Sequence, residues 1–187
     1  MKKFICGFFL VLCACSFRSP DSTFYMMNSQ NLEPVSKRQI SVAVARVKVP
    51  ELLARSQMVL YESGSDEVQI MEFKRWGESF PDMLQATVTN DLIAYLPNAF
   101  VKRTYFDNGK MSYSVNIEIN NVQAYSDGKV ILSAWWNIAN ASGYVIKRQQ
   151  VSYQTEAKGK TTQDLVNAQS EAVHQMSRGI AEALAKL

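Results

Sequence analysis

Two periods of hydrophobicity organise this chain. A period of two dominates its centre. Tyr113, Val115, Ile117 and Ile119 alternate with Ser114, Asn116, Glu118 and Asn120, which predicts a strand with one buried and one wet face. The phase then slips to Val122 and Ala124, so a bulge is expected near Asn120-Asn121. Ser126-Asp127-Gly128-Lys129 carries hairpin chemistry, and Val130, Leu132, Ala134, Trp136 and Ile138 make the return strand. Asn140-Ala141-Ser142-Gly143 supplies a second turn. Tyr144 to Tyr153 reads as a third, more polar strand, nearer a sheet edge.

A helical period takes over at the C-terminus. Leu165, Ala172, Val173, Met176, Ile180, Leu184 and Leu187 form an apolar stripe, and Thr161 to Asp164 has the form of a capping box. Such a stripe predicts a long helix packed on the sheet. A second helix is expected after Ser79, with Pro81 in its first turn and Asp82 completing an S-x-x-D box. Leu84, Val88, Leu92, Tyr95 and Leu96 follow at helical spacing until Pro97-Asn98.

The remaining pattern is less regular. Ile40 to Val49 is apolar on both alternating faces, the mark of a strand covered on both sides, and Pro50 ends it. Met58 to Tyr61 and Val68 to Phe73 read as strands around the turn Ser63-Gly64-Ser65-Asp66. Phe24 to Met27 and Ala99 to Arg103 are short strand candidates. Asn28 to Gln39, with Pro34, reads as a loop.

The first residues follow neither period. Met1-Lys2-Lys3 is basic, and Phe4 to Leu12 is an apolar run too short to cross a bilayer. The run ends in Leu12-Cys13-Ala14-Cys15, which resembles the bacterial lipobox. The pattern has a chemical reason. The cysteine thiol is alkylated by a diacylglycerol, and small residues before it admit the peptidase. Cys13 fits less well, because bulky Leu12 would then precede the cut. Residues 1–14 are therefore expected to be a signal peptide, Cys15 the lipidated residue, 15–22 a lipidated tether and 23–187 a single periplasmic domain. Residues 16–39, if they formed a flexible coil at about 5–6 Å × √n, would hold that domain some tens of ångströms off a membrane.

This reading changes what composition means. Cys6 and Cys13 leave with the signal and Cys15 is acylated, so the mature chain has no free thiol, which suits an oxidising compartment. Loss of Lys2 and Lys3 brings the formal charge from +3 to +1. That balance offers no nucleic-acid footprint. Residues 15–187 suffice for one domain with a real core.

Chemistry is sparse. His174 is the only histidine, and without cysteines it makes no zinc site. No P-loop, dinucleotide fingerprint or G-x-S-x-G is present. Glu72, Glu78 and Asp82 read as a solvated strand end and a helix cap rather than a hydrolase pair. A serine hydrolase would need His174 to meet both a carboxylate and a nucleophile in a pocket. No catalytic residue, metal or cofactor is assigned.

Two segments stand out. One is Val49-Pro50-Glu51-Leu52-Leu53-Ala54-Arg55-Ser56-Gln57-Met58-Val59, and the other Lys74-Arg75-Trp76-Gly77-Glu78. Trp76 offers a large area to bury and one N–H to satisfy, and Glu78 sits where a helix N-terminus favours negative charge. With the lipobox and Tyr25-Met26-Met27, these residues resemble the ABC-type transport auxiliary lipoproteins, the PqiC-like family. Pro50, Leu53, Arg55, Gln57, Val59, Arg75, Trp76 and Glu78 fit its pattern. Met27 stands where the family has Leu, and Gly77 where it often has Ala. The resemblance spans most of residues 23–187 in element order and is specific over 47–97.

The resemblance implies an α/β (α+β) fold, a mixed β-sheet flanked by helices, as in the TolB N-terminal or anticodon-binding-like architecture. It implies no catalytic residues. It implies partners among MCE-domain (mammalian cell entry) or ABC-transporter subunits that move lipid between membranes, with Arg55, Arg75, Trp76 and Glu78 as partner-binding candidates. Self-association stays open. Ser16 is not the Asp that retains lipoproteins at the inner membrane, which points to an outer-membrane anchor on the periplasmic face. The alternative is a general envelope-integrity lipoprotein with a TolB-like protein-binding domain.

Overall fold

The computed structural model describes residues 20–28, 31–104 and 111–187, so the expected signal peptide and Cys15 lie outside the described residues. Among the described residues, eight strands and two helices follow in order. They are β1 (Thr23–Tyr25), β2 (Ser41–Val44), a 3-10 turn (Glu51–Leu53), β3 (Gln57–Tyr61), β4 (Val68–Trp76), α1 (Phe80–Tyr95), β5 (Phe100–Arg103), β6 (Tyr113–Ala124), β7 (Lys129–Asn140), β8 (Val145–Glu156) and α2 (Thr162–Lys186). The class is the expected mixed α+β.

The strands make two sheets rather than one. The larger has the order β5-β2-β6-β7-β8 and the smaller β1-β4-β3. They adjoin where Tyr61 of β3 bridges Tyr125 just beyond β6, and the Tyr61 hydroxyl donates to Asn121 Oδ1 at 3.4 Å. The antiparallel meander β6-β7-β8 forms as its alternation predicts. Its bulge falls between Ile119 and Asn121, and β8 is the outer strand. Both hairpin turns place glycine at positive φ, +98° at Gly128 and +82° at Gly143, a backbone state that other residues adopt only under strain.

The expected strand Ile40 to Val49 is shorter, and its reason is parallel pairing. β2 lies between β5 and β6, parallel to both. From the pair Val44–Val115 to the pair Lys48–Glu118 the chain spends one residue more than β6 does, so the ladder breaks and resumes. The detour turns Arg46 outward, where its Nε lies 3.3 Å from Asp82 Oδ1. β4 runs longer than expected, to Trp76, because three extra residues, Glu72 to Lys74, loop out between the pairs Met58–Met71 and Gln57–Arg75.

Helix α2 packs on β7 and β8, and α1 on β5 and on α2. The core lies between this helical layer and the large sheet. Leu84, Val88 and Leu92 of α1, Leu132, Trp136 and Ile138 of β7, and Met176, Ile180 and Leu184 of α2 are all buried there. Each such aliphatic side chain contributes roughly 1.5–3 kcal/mol by leaving water. Caps close both helices as predicted. Thr161 and Asp164 form a reciprocal capping box, and the Ser79 hydroxyl accepts from the Asp82 N–H.

The segment before β2 is not a free tether. β1 docks parallel on β4, the Val35 N–H donates to the Tyr95 carbonyl at 2.8 Å, and Arg38 Nη1 donates to the Leu184 carbonyl at 3.0 Å. These bonds leave only residues 15–22 between Cys15 and the first strand. Among the described residues, no helix is long and apolar enough to cross a membrane.

Candidate functional site

The four partner-binding candidates meet at one backbone contact. The Trp76 N–H donates to the Ser56 carbonyl at 2.7 Å, which joins the start of β3 to the end of β4. Arg55 precedes that carbonyl, Arg75 precedes Trp76, and Glu78 follows two residues on. The tertiary structure gives them different work. Trp76 is buried and tilts against Phe80 with ring centroids 5.2 Å apart, so it pins α1 to the small sheet and presents no surface to a partner. Arg55 Nε donates to the Leu52 carbonyl at 2.8 Å and closes the 3-10 turn. Arg75 donates from Nε to the Glu72 carbonyl at 3.0 Å and from Nη2 to Glu72 Oε1 at 2.9 Å, which braces the looped-out residues of β4. Glu78 is exposed at the entry to α1. Gly77 sits under Met26: a Cβ there would lie 2.6 Å from Met26 Sδ. An alanine at this position requires that methionine to move.

His174 finds the carboxylate that its own helix lacks. Asp91 of α1 faces it, with 2.8 Å between His174 Nδ1 and Asp91 Oδ2, and both side chains are almost fully buried. An ionised Asp91 can only accept, so Nδ1 carries the hydrogen. The Tyr95 hydroxyl donates to the His174 carbonyl at 3.3 Å, and its pKa is raised by burial and then by Asp91. His174 Nε2 is buried without a hydrogen-bond partner, so no nucleophile is held against it. The arrangement pins α1 to α2 and lacks the third member a hydrolase needs. The residue that sequence reasoning missed is Asp91. Its signal was an acid on the Val88-Leu92-Tyr95 face of a helix, a phase otherwise reserved for the core.

Two of the open clefts are of similar size. One, of about 480 Å³, lies on the outer face of the large sheet among Arg46, Lys48, Asn116, Trp135, Asn137 and Arg148. The other, of about 500 Å³, is bounded by Leu60, Met71, Lys74, Tyr125 and the start of α2. There Lys74 Nζ donates to Thr162 Oγ1 at 2.5 Å. Among the described residues, no group of three His, Cys, Asp or Glu side chains is placed to hold a metal ion.

Comparison with known proteins agrees with this geometry. Residues 26–181 match the family model described as ABC-type transport auxiliary lipoprotein component. A crystal structure described only as that of an uncharacterized protein superposes with a TM-score of 0.74 at 19% identity, covering 88% of this chain and 99% of that one. A crystal structure of a Xanthomonas campestris protein gives a TM-score of 0.72 at 14% identity, covering 88% and 95%. At those identities the likeness concerns the fold. No curated protein matches the chain.

Proposed function

Because the chain belongs to the family of ABC-type transport auxiliary lipoprotein components, we propose that it is the lipid-anchored, non-catalytic member of an intermembrane lipid transport system. In this reading Cys15 carries the acyl chains in the outer membrane, the domain faces the periplasm, and an MCE-domain or ABC-transporter subunit docks on it. The observation that carries the reading is the family match over residues 26–181. The packing is consistent with it. The most enzyme-like pair, His174 and Asp91, is sealed between two helices. Of the docking candidates, Glu78 is exposed and Arg55 and Arg75 are half-buried, whereas Trp76 supports them from the core.

The test is affinity capture of the acylated protein from crosslinked membranes. Recovery of an MCE-domain or ABC-transporter subunit, lost in a folded Glu78→Ala variant, is the expected result. Recovery of only peptidoglycan-linked or Tol-type proteins would move the function to general envelope integrity. The anchor is tested separately with Cys15→Ser, which should leave the domain folded but release it from membranes by a salt wash.

A further inference from the structure

The outer face of the small sheet carries an apolar patch close to where the chain arrives from its N-terminus. Register places its residues on one face. Phe24 pairs with Arg75, Arg75 with Gln57, Ile70 with Val59, and Val68 with Tyr61. Paired residues share a face, and so do Gln57, Val59 and Tyr61, which alternate along β3. Phe24, Ile70 and Val68 therefore lie on one face, Ile70 and Val68 about 7 Å apart along β4 and Phe24 across from Arg75 at the other end of it. They are 63%, 46% and 38% exposed, and Phe73, in the looped-out residues beside them, is 41% exposed. Single exposed apolar residues are ordinary, but a contiguous group marks a contact surface. The Arg75–Glu72 ion pair adds no net charge to it.

The length of chain ahead of the structure says what covers this patch. From Cys15 to Thr23 the backbone can span at most about 3.3–3.6 Å per residue, hence under roughly 30 Å even when fully extended. A domain of this size is about 40 Å across. Any lipid on Cys15 thus lies within less than one domain diameter of β1, and Phe24 is the second residue of that strand. We propose that this face of the small sheet rests on the bilayer that holds the anchor, with Phe24, Ile70, Val68 and Phe73 in the headgroup region. Side chains on such a surface enter about 5–10 Å. The inference rests on lipidation of Cys15 and adds a fixed orientation. The outer face of β1 and β4 meets the membrane, while the β7–β8 turn, at the far end of a twelve-residue strand, lies away from it.

The test uses the acylated full chain in vesicles of phosphatidylethanolamine and phosphatidylglycerol. The signal cysteines are cut away and Cys15 is acylated, so an introduced cysteine is the sole reactive thiol. Spin labels are placed singly in Phe24→Cys, Ile70→Cys and, as reference, Tyr144→Cys, at a position 73% exposed beside the β7–β8 turn. For each label, accessibility to oxygen is compared with accessibility to a water-soluble nickel chelate. The expected result is an oxygen-to-nickel ratio several-fold higher at 24 and 70 than at 144. Vesicle flotation with equal ratios at all three sites would overturn the orientation and leave the anchor standing. Labels at 24 and 70 shielded from both reagents would overturn it in favour of a protein covering the patch. Failure to float would remove the anchor, and the inference with it.

Discussion

The two halves of the molecule are built on different terms. From β6 to α2 the chain forms a three-stranded meander, whose strands pair with their neighbours in sequence, and a helix with one sharp apolar stripe. From β1 to β5 it crosses between two sheets. It pairs β1 with β4 and β2 with β5 and β6 in parallel, and buries α1 over most of its circumference. Periodic patterning suffices for the C-terminal half. The N-terminal half depends on single side chains that hold distant segments together: Trp76, Gln85, Asp91 and their partners.

The largest test of that contrast is Trp76→Ala. Loss of a buried indole from the joint between the small sheet and α1 is expected to cost about 3–5 kcal/mol in denaturant unfolding. Trp135→Ala, on the half-exposed outer face of the meander, should change stability by no more than about 0.5 kcal/mol. Equal costs would erase the distinction.

The pin between the halves comes next. His174→Ala leaves Asp91 buried and unpaired, and is expected to cost about 3–5 kcal/mol. Replacing both residues with leucine should recover much of that loss, since an apolar pair has no charge to desolvate. A double variant no more stable than the single one would show that the carboxylate is not the source of the cost. Gln85 ties α1 to the ends of β2 and β5, its Nε2 donating to the Val44 and Thr104 carbonyls at 2.9 and 3.0 Å. Gln85→Ala should cost about 1–3 kcal/mol, because two buried carbonyls lose a donor. Ser79→Ala, which removes a helix cap that local sequence alone specifies, should cost about 1 kcal/mol.

The smallest effect is a pH dependence on the local side of the contrast. Hydrogen bonds from the Thr161 side chain and then its backbone N–H hold the Asp164 carboxyl below the usual range. A depressed folded pKa means that the contribution is complete above the unfolded carboxylate value and is lost as pH falls through the folded one. Asp164→Asn should therefore lower the neutral plateau slightly and flatten the acid side of the stability profile, as followed by thermal unfolding across pH. An unchanged acid limb would show that the capping box contributes no proton linkage.

The sequence by itself determined what short-range physics controls. The alternation of Tyr113 to Ile119 fixed a half-buried strand, the slip before Val122 its bulge, and Gly128 and Gly143 the hairpins. The Thr161 and Ser79 boxes set where both helices begin. The segments around Arg55 and Arg75-Trp76 carried the family resemblance, which the match over residues 26–181 bears out. Only the tertiary structure decided the rest. Nothing local to Val42 or Val44 names β5 and β6 as parallel neighbours, because such neighbours come from far along the chain. Nothing near His174 names Asp91, 83 residues away. Trp76 reads as a partner contact or a core anchor until Phe80 closes over it, and Phe24 reads as one apolar residue until register sets it on the same face as Ile70. Periodicity specifies which face of an element leaves water. Which other face it meets is settled by long-range packing, where many weak patterns must be satisfied together.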